Sequence, residues 1–250
     1  MNINNGREML QYYENVVNKN VVGWLYALDI LSISHLLKGN ESELKGDICE
    51  LGVAFGKSAV MLSLLRSEGE NFYMYDLYEH ENVVQNIINY GNRKDIKLNI
   101  IDLMKLDKKD IVFQNKLKLL HVDACHFHTS LLNDLNNFHE QVCDNGIIVV
   151  DDINDIQYPG INTAVTEFCL INKEWKMFAI GDNKVYIARE KYVKHYIKIL
   201  LKYFRYELNY NNFTFSEVMG IDLLLLKSRE PTNSEVVESY IQDKFIRKYE

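Results

Sequence analysis

Gly46-Asp47-Ile48-Cys49-Glu50-Leu51-Gly52-Val53-Ala54-Phe55-Gly56-Lys57-Ser58 is the stretch that decides the fold of this chain. A short apolar strand ends at Glu50, two glycines bracket a turn, and a helix-like segment follows near 57–67. Glycines at such a turn let the backbone come close to a ligand and take positive φ where needed. Three residues separate Gly52 from Gly56. That spacing fits neither the dinucleotide fingerprint nor a P-loop, although Gly56-Lys57-Ser58 looks like a P-loop ending. A carboxylate at Glu50 would repel pyrophosphate and suits the cationic amino-acid end of S-adenosylmethionine instead.

Outward from this turn the chain alternates short apolar runs with amphipathic segments. The runs are 47–50, 72–76, 96–101, 117–122, 146–151, 175–180 and 184–188, and helix-like segments lie near 57–67, 81–91, 104–112, 129–142 and 160–171. Such alternation predicts an α/β, Rossmann-like, doubly wound and mostly parallel seven-stranded sheet. Only Gly181-Asp182-Asn183 separates the last two runs, which suits an antiparallel final hairpin. Helical patterning at 8–38 and again through 191–250 predicts N- and C-terminal helical extensions. Pro231 breaks the tail, and Ser234 would cap a last helix. The expected organisation is a helical cap over 1–45, a ligand-binding domain over 46–190 and a helical extension over 191–250.

Two hundred and fifty residues suffice for one well-buried core with trimmings. Apolar residues make up 47% and charged residues 25%, as in ordinary globular proteins. The net charge of −7, with no Lys/Arg run, argues against nucleic acid as a partner. Asp29 and His35 interrupt the longest apolar stretch, 21–37, so no membrane span is expected. Met1–Arg7 lacks an apolar secretory core, and the four cysteines show neither a C-x-x-C pair nor zinc spacing. These features predict a reduced, cytoplasmic protein.

Acidic residues recur where the strands end. Asp76 closes the second and is placed to accept both ribose hydroxyls, and Asp102 follows the third, within reach of an adenine amine. The fourth ends in Leu119-Leu-His-Val-Asp123-Ala-Cys-His126-Phe-His128, and the fifth in Val150-Asp151-Asp152. Parallel strands aim their carboxyl ends at one crevice, so Asp123, Asp151 and Asp152 should converge. Without a basic partner nearby in sequence they would repel one another. A hard divalent cation relieves that repulsion, and an all-oxygen set favours Mg²⁺. His126 would lie beside it, a candidate base for a hydroxyl proton, with His121 and His128 weaker candidates.

Five βα units closed by an antiparallel hairpin, with Asp123-x-x-His126 and the Asp151-Asp152 pair, resemble the class I S-adenosylmethionine-dependent methyltransferases. Within these the pattern is similar to the metal-dependent macrocin and mycinamicin sugar O-methyltransferases, over residues 46–189. The resemblance implies Mg²⁺ at Asp123, Asp151 and Asp152, His126 as base, and S-adenosylmethionine contacts at Glu50, Gly52, Gly56, Ser58 and Asp76. It also implies a small-molecule hydroxyl acceptor as the partner. Ala124-Cys125 and Ile153-Asn154 depart from the family's pattern, so a macrolide sugar is not assumed. A catechol-type phenol methyltransferase and a non-catalytic S-adenosylmethionine-binding protein are the alternatives. The glycine spacing disfavours a dehydrogenase. The flanking helices are expected to supply substrate specificity or the contacts of a homo-oligomer, and Trp24, Tyr12 and Tyr13 to wall an acceptor pocket.

Overall fold

The computed structural model describes residues 6–38, 44–207 and 213–227. The chain opens with α1 (Gly6–Tyr12), a π turn and α2 (Asn18–Asn20), then α3 (Ala27–Lys38). The alternating region follows as β1 (Asp47–Leu51), α4 (Lys57–Ser63), β2 (Phe72–Asp76), α5 (Val83–Tyr90), β3 (Ile96–Ile100) and β4 (Leu117–Val122). It continues through α6 (His128–Phe138), β5 (Val142–Val150), α7 (Pro159–Ile171), β6 (Trp175–Ile180), β7 (Val185–Arg189) and α8 (Glu190–Lys202). Two further strands close the described chain, β8 (Phe213–Val218) and β9 (Ile221–Leu226).

All nine strands form one sheet in the order β3-β2-β1-β4-β5-β7-β6-β9-β8. Strands β1 to β5 run parallel, β7 enters antiparallel to β5, and β6 pairs antiparallel with β7. The predicted doubly wound sheet with its antiparallel hairpin is therefore present. The carboxylate-bearing strands are held in register: Leu51 pairs with Val122, and Val122 with Val150. The next residues, Gly52, Asp123 and Asp151, thus leave the sheet at one level.

Side chains alternate across the sheet as the pleat requires. Ile48, Met74 and Val149 join a core with Met9, Leu31, Met61 and Ile197, so the first helices and α8 share one layer. Cys49, Leu120 and Ile148 face the other way, against Leu131 and Phe168 of α6 and α7.

Two expectations need correction. The tail is not helical throughout: after α8, residues 213–226 form a β-hairpin that enlarges the sheet from seven strands to nine. Its turn is Met219-Gly220, both at positive φ (52° and 75°), which joins strands of natural twist in two residues. The segment near 104–112 is not a helix either. Asp102 and Asp107 each accept a backbone N–H two residues on and confine the chain to two 3₁₀ turns. Pro231 and Ser234 lie outside the described residues.

Candidate active site

The turn after β1 is pinned by its neighbours. Gly52 N–H donates to the Tyr75 carbonyl at 2.8 Å, and Asp123 N–H donates to the Leu51 carbonyl at 2.7 Å. A Cβ on Gly52, whose φ is +81°, would lie 2.0 Å from the Asp123 carbonyl oxygen. Only glycine fits there, because the turn and the end of β4 touch backbone to backbone. Asp76 braces the same turn, its Oδ2 accepting the N–H groups of Val53 (2.8 Å) and Ala54 (3.0 Å).

Beyond these strand ends lies a cavity of about 830 Å³, large enough for a cofactor and a second small molecule. Gly52, Ser58, Asp76 and Asp102 line it, as do Asp123, His126, Asp151 and Asp152. Glu50 and Gly56 do not. Glu50 is fully buried behind the turn, where its Oε1 lies 2.9 Å from Nδ1 of His121. Gly56 caps α4 at φ +84°, a conformational role. Among the predicted aromatic walls, Trp24 lines the cavity and is 87% exposed. Tyr13 is buried in the core, and the Tyr12 hydroxyl donates to the Tyr90 carbonyl.

The acidic cluster is held tightly. Asp151 N–H donates to the Val122 carbonyl, and Asp151 Oδ1 accepts Asp152 N–H at 2.8 Å. Asp152 adopts φ +58°, a left-handed conformation that aspartate tolerates better than most residues and that turns both carboxylates into the cavity. His126 Nε2 lies 3.1 Å from Asp152 Oδ2 and 3.7 Å from Asp123 Oδ1, and its ring packs on Tyr158. Burial and then the Asp151 charge push Asp123 up to about 6. The adjoining Asp123 carboxylate raises His126 above the usual imidazole value, against the opposing effect of burial.

The acids have a basic partner, though one distant in sequence. Lys184, fully buried, forms an ion pair with Asp151, and Asn183 Nδ2 donates to Asp152. Burial alone would raise Asp151, but Lys184 and His121 outweigh it and hold the carboxyl below its usual range. No residue type announced Lys184. Its signal was topological, since an antiparallel strand begins where its parallel neighbours end, and Lys184 immediately precedes β7. Two more buried acids line the cavity, Asp29 and Asp134, and burial pushes each up to about 7.

The donor chemistry suits a divalent cation. Asp123, His126 and Asp152 offer ligand atoms within 4.8 Å of one another, and so do His121, Asp123 and Asp151. Asp123 is common to both groups, and two of the three predicted ligands stand in each. Nε2 of His126 is buried against the Asp152 and Asp123 carboxylates without an aligned hydrogen bond, as a nitrogen sharing a cation with them would be.

Residues 49–153, from β1 to just past the acidic pair, match a family of methyltransferase domains. Among solved structures the chain is similar to an O-methyltransferase from Bacillus cereus in complex with SAH. The TM-score is 0.55 at 15% identity, covering 73% of this chain and 90% of that one. It is also similar to CalS11, a TDP-rhamnose 3'-O-methyltransferase of calicheamicin biosynthesis (TM-score 0.51, 14% identity, 74% and 93% covered). A third is the O-methyltransferase NovP (TM-score 0.50, 17% identity, 74% and 78% covered). No curated protein matches the chain. The fold is the one these O-methyltransferase structures share, and the glycine turn and carboxylate cluster fall inside the stretch that matches the methyltransferase family. Among the described residues no helix is long and apolar enough to cross a membrane.

Proposed function

We propose that this protein is an O-methyltransferase that moves the methyl group of S-adenosylmethionine to a hydroxyl of a sugar or other polyhydroxylated small molecule. The observation that carries the reading is the convergence, in one cavity, of the glycine turn with Asp123, His126, Asp151 and Asp152. Gly52, Ser58 and Asp76 lie where a nucleoside and its amino-acid tail would sit, with Asp102 near the base. Lys57, also on the cavity, is a cation for the methionine carboxylate.

In the reaction, the acceptor oxygen attacks the methyl carbon as the carbon–sulfur bond breaks. The electron pair stays on sulfur and the donor leaves as a neutral thioether. His126 takes the hydroxyl proton on the ring nitrogen that does not face Asp152 and Asp123, which requires its neutral form. Asp123 and Asp152 orient the ring and stabilise the imidazolium that results. Asp123, Asp151 and Asp152 would hold Mg²⁺, which would lower the pKa of a hydroxyl bound there. Lys184 keeps Asp151 ionised and fixed. Trp24 and Tyr158 wall the acceptor side.

Calorimetry with S-adenosylmethionine and S-adenosylhomocysteine, followed by methyl transfer to a panel of polyols, tests this. Both nucleosides are expected to bind, and EDTA to abolish transfer without abolishing that binding. Absence of nucleoside binding overturns the whole reading. Transfer that persists in EDTA removes only the metal, and transfer to catechols in preference to polyols selects the phenol methyltransferase.

A further inference from the structure

Acidic side chains outnumber basic ones on the walls of the cavity. Eight aspartates line it against two lysines, and no arginine does. Both lysines are committed: Lys184 to its ion pair with Asp151, and Lys57, whose Nζ donates to Asn18 Oδ1 at 2.9 Å, to the methionine carboxylate in the reading above. A monocationic methyl donor and one divalent ion leave the wall negative. Phosphate recognition relies on arginine forks, lysines or helix N-termini left free for the ligand, and with Lys184 on Asp151 and Lys57 on the methionine carboxylate no lysine or arginine of the cavity is left for the acceptor. Water-excluding walls of low polarisability focus such a field and concentrate counter-charged ligands.

Two of the acids are not among the proposed metal and nucleoside contacts. Asp29, at the start of α3, is 0% exposed and its Oδ2 has no hydrogen-bond partner. Asp155, in the loop after β5, is half-buried on the cavity wall, with its Oδ1 accepting Gln157 N–H at 2.8 Å. A buried carboxylate oxygen without a partner is costly in a folded chain and marks a place where a donor is expected. Trp24 and Tyr26, exposed and lining the same cavity, offer ring faces suited to cations and to the apolar face of a sugar ring.

We propose that the acceptor is a cationic, amine-bearing polyol, whose ammonium groups are held by Asp155 and Asp29 over the Trp24 and Tyr26 rings, and that phosphorylated or nucleotide-linked sugars are excluded. This rests on the reading of the cavity as a methyltransferase site and names its substrate class. A protonated amine has no lone pair to attack a methyl group, so the ammonium anchors the molecule and a hydroxyl reacts.

Three probes separate the possibilities, each titrated into protein saturated with S-adenosylhomocysteine. They are paromamine, fully N-acetylated paromamine and UDP-glucose. N-acetylation removes the charges of paromamine and adds bulk, so the salt dependence of binding is the readout that reports charge. Paromamine is expected to bind at least tenfold more tightly than its acetylated form, with affinity falling as salt rises, and UDP-glucose is expected not to bind. Asp155→Asn should reduce paromamine binding severalfold while S-adenosylhomocysteine affinity is unchanged. A protein that binds S-adenosylhomocysteine but shows no preference for the charged form, or that prefers UDP-glucose, overturns the proposal. A protein that fails to bind S-adenosylhomocysteine overturns the methyltransferase reading instead.

Discussion

At Gly52 one hydrogen atom in place of a methyl group decides whether the turn and the end of β4 can touch. Gly52→Ala drives a Cβ into the Asp123 carbonyl at a backbone angle that L-residues avoid. It is expected to cost about 2 kcal/mol or more of stability and to weaken S-adenosylmethionine binding, read by denaturant melts and calorimetry. His126 gives a different signature. Removing a general base commonly costs about 10²–10⁴ in rate, so His126→Ala should lower kcat by about that factor and leave S-adenosylhomocysteine affinity nearly unchanged. Its raised pKa fixes the direction of the pH profile. Transfer should fall as pH drops and the imidazolium accumulates, and that acidic limb should vanish in the alanine variant. Lys184→Met removes the partner of Asp151 and leaves crowded acids behind. Losses of about 3–5 kcal/mol follow the breaking of buried pairs, and Mg²⁺ should restore part of the loss if the cluster accepts a cation. A melt unmoved by Mg²⁺ would count against the metal site.

Among the elements, α6 carries a cost of its own. Asp134 is only 2% exposed, and its Oδ1 has no hydrogen-bond partner. Burial raises its folded pKa to about 7, above the usual aspartate value. The folded chain therefore retains a proton that the unfolded chain gives up. Stability should be highest below pH 4 on this account and decline until about pH 7, by up to about 4 kcal/mol for a three-unit shift. Asp134→Asn should flatten that slope and stabilise the protein at pH 8 but not at pH 4, as urea midpoints would show. The strands were legible because their apolar runs are short and the turns between them polar, with Gly52 and Gly181 marking the sharpest. The 3₁₀ turns after β3 and the β8–β9 hairpin were not. In the first, side-chain caps at Asp102 and Asp107 outcompete a helix that periodicity alone allows. In the second, Phe213-Thr-Phe and Leu223–Leu226 are apolar enough to suit either state, and pairing with β6 decides.

At the scale of the molecule, the first helices and α8 belong to the same core as α4, so nucleoside binding should stabilise the whole fold. S-adenosylhomocysteine at about 100 times its Kd should add about 2.7 kcal/mol, or roughly 5–10 °C in Tm for a chain of this size. Scanning fluorimetry would detect it, and an unmoved Tm would count against cofactor binding. The candidate site was legible in part for a reason of geometry. Asp76, Asp102, Asp123, Asp151 and Asp152 follow parallel strands, which all end on one side, so their meeting is dictated by topology. Glu50 sits one residue before the end of β1, and its Oε1 faces His121 in the sheet interior. Asp29 and Lys184 come from outside the parallel set, and nothing local in the sequence assigns them to the crevice.

The reversal of β7 therefore has a meaning for how such chains diversify. The strands that end in the glycine turn and the acids and the strand that follows Lys184 run in opposite directions and are separated in sequence. The tight turn before β7 can be reshaped while Lys184 stays on Asp151 and the backbone contacts that pin the glycine turn are untouched. The taste for one acceptor over another can drift on its own.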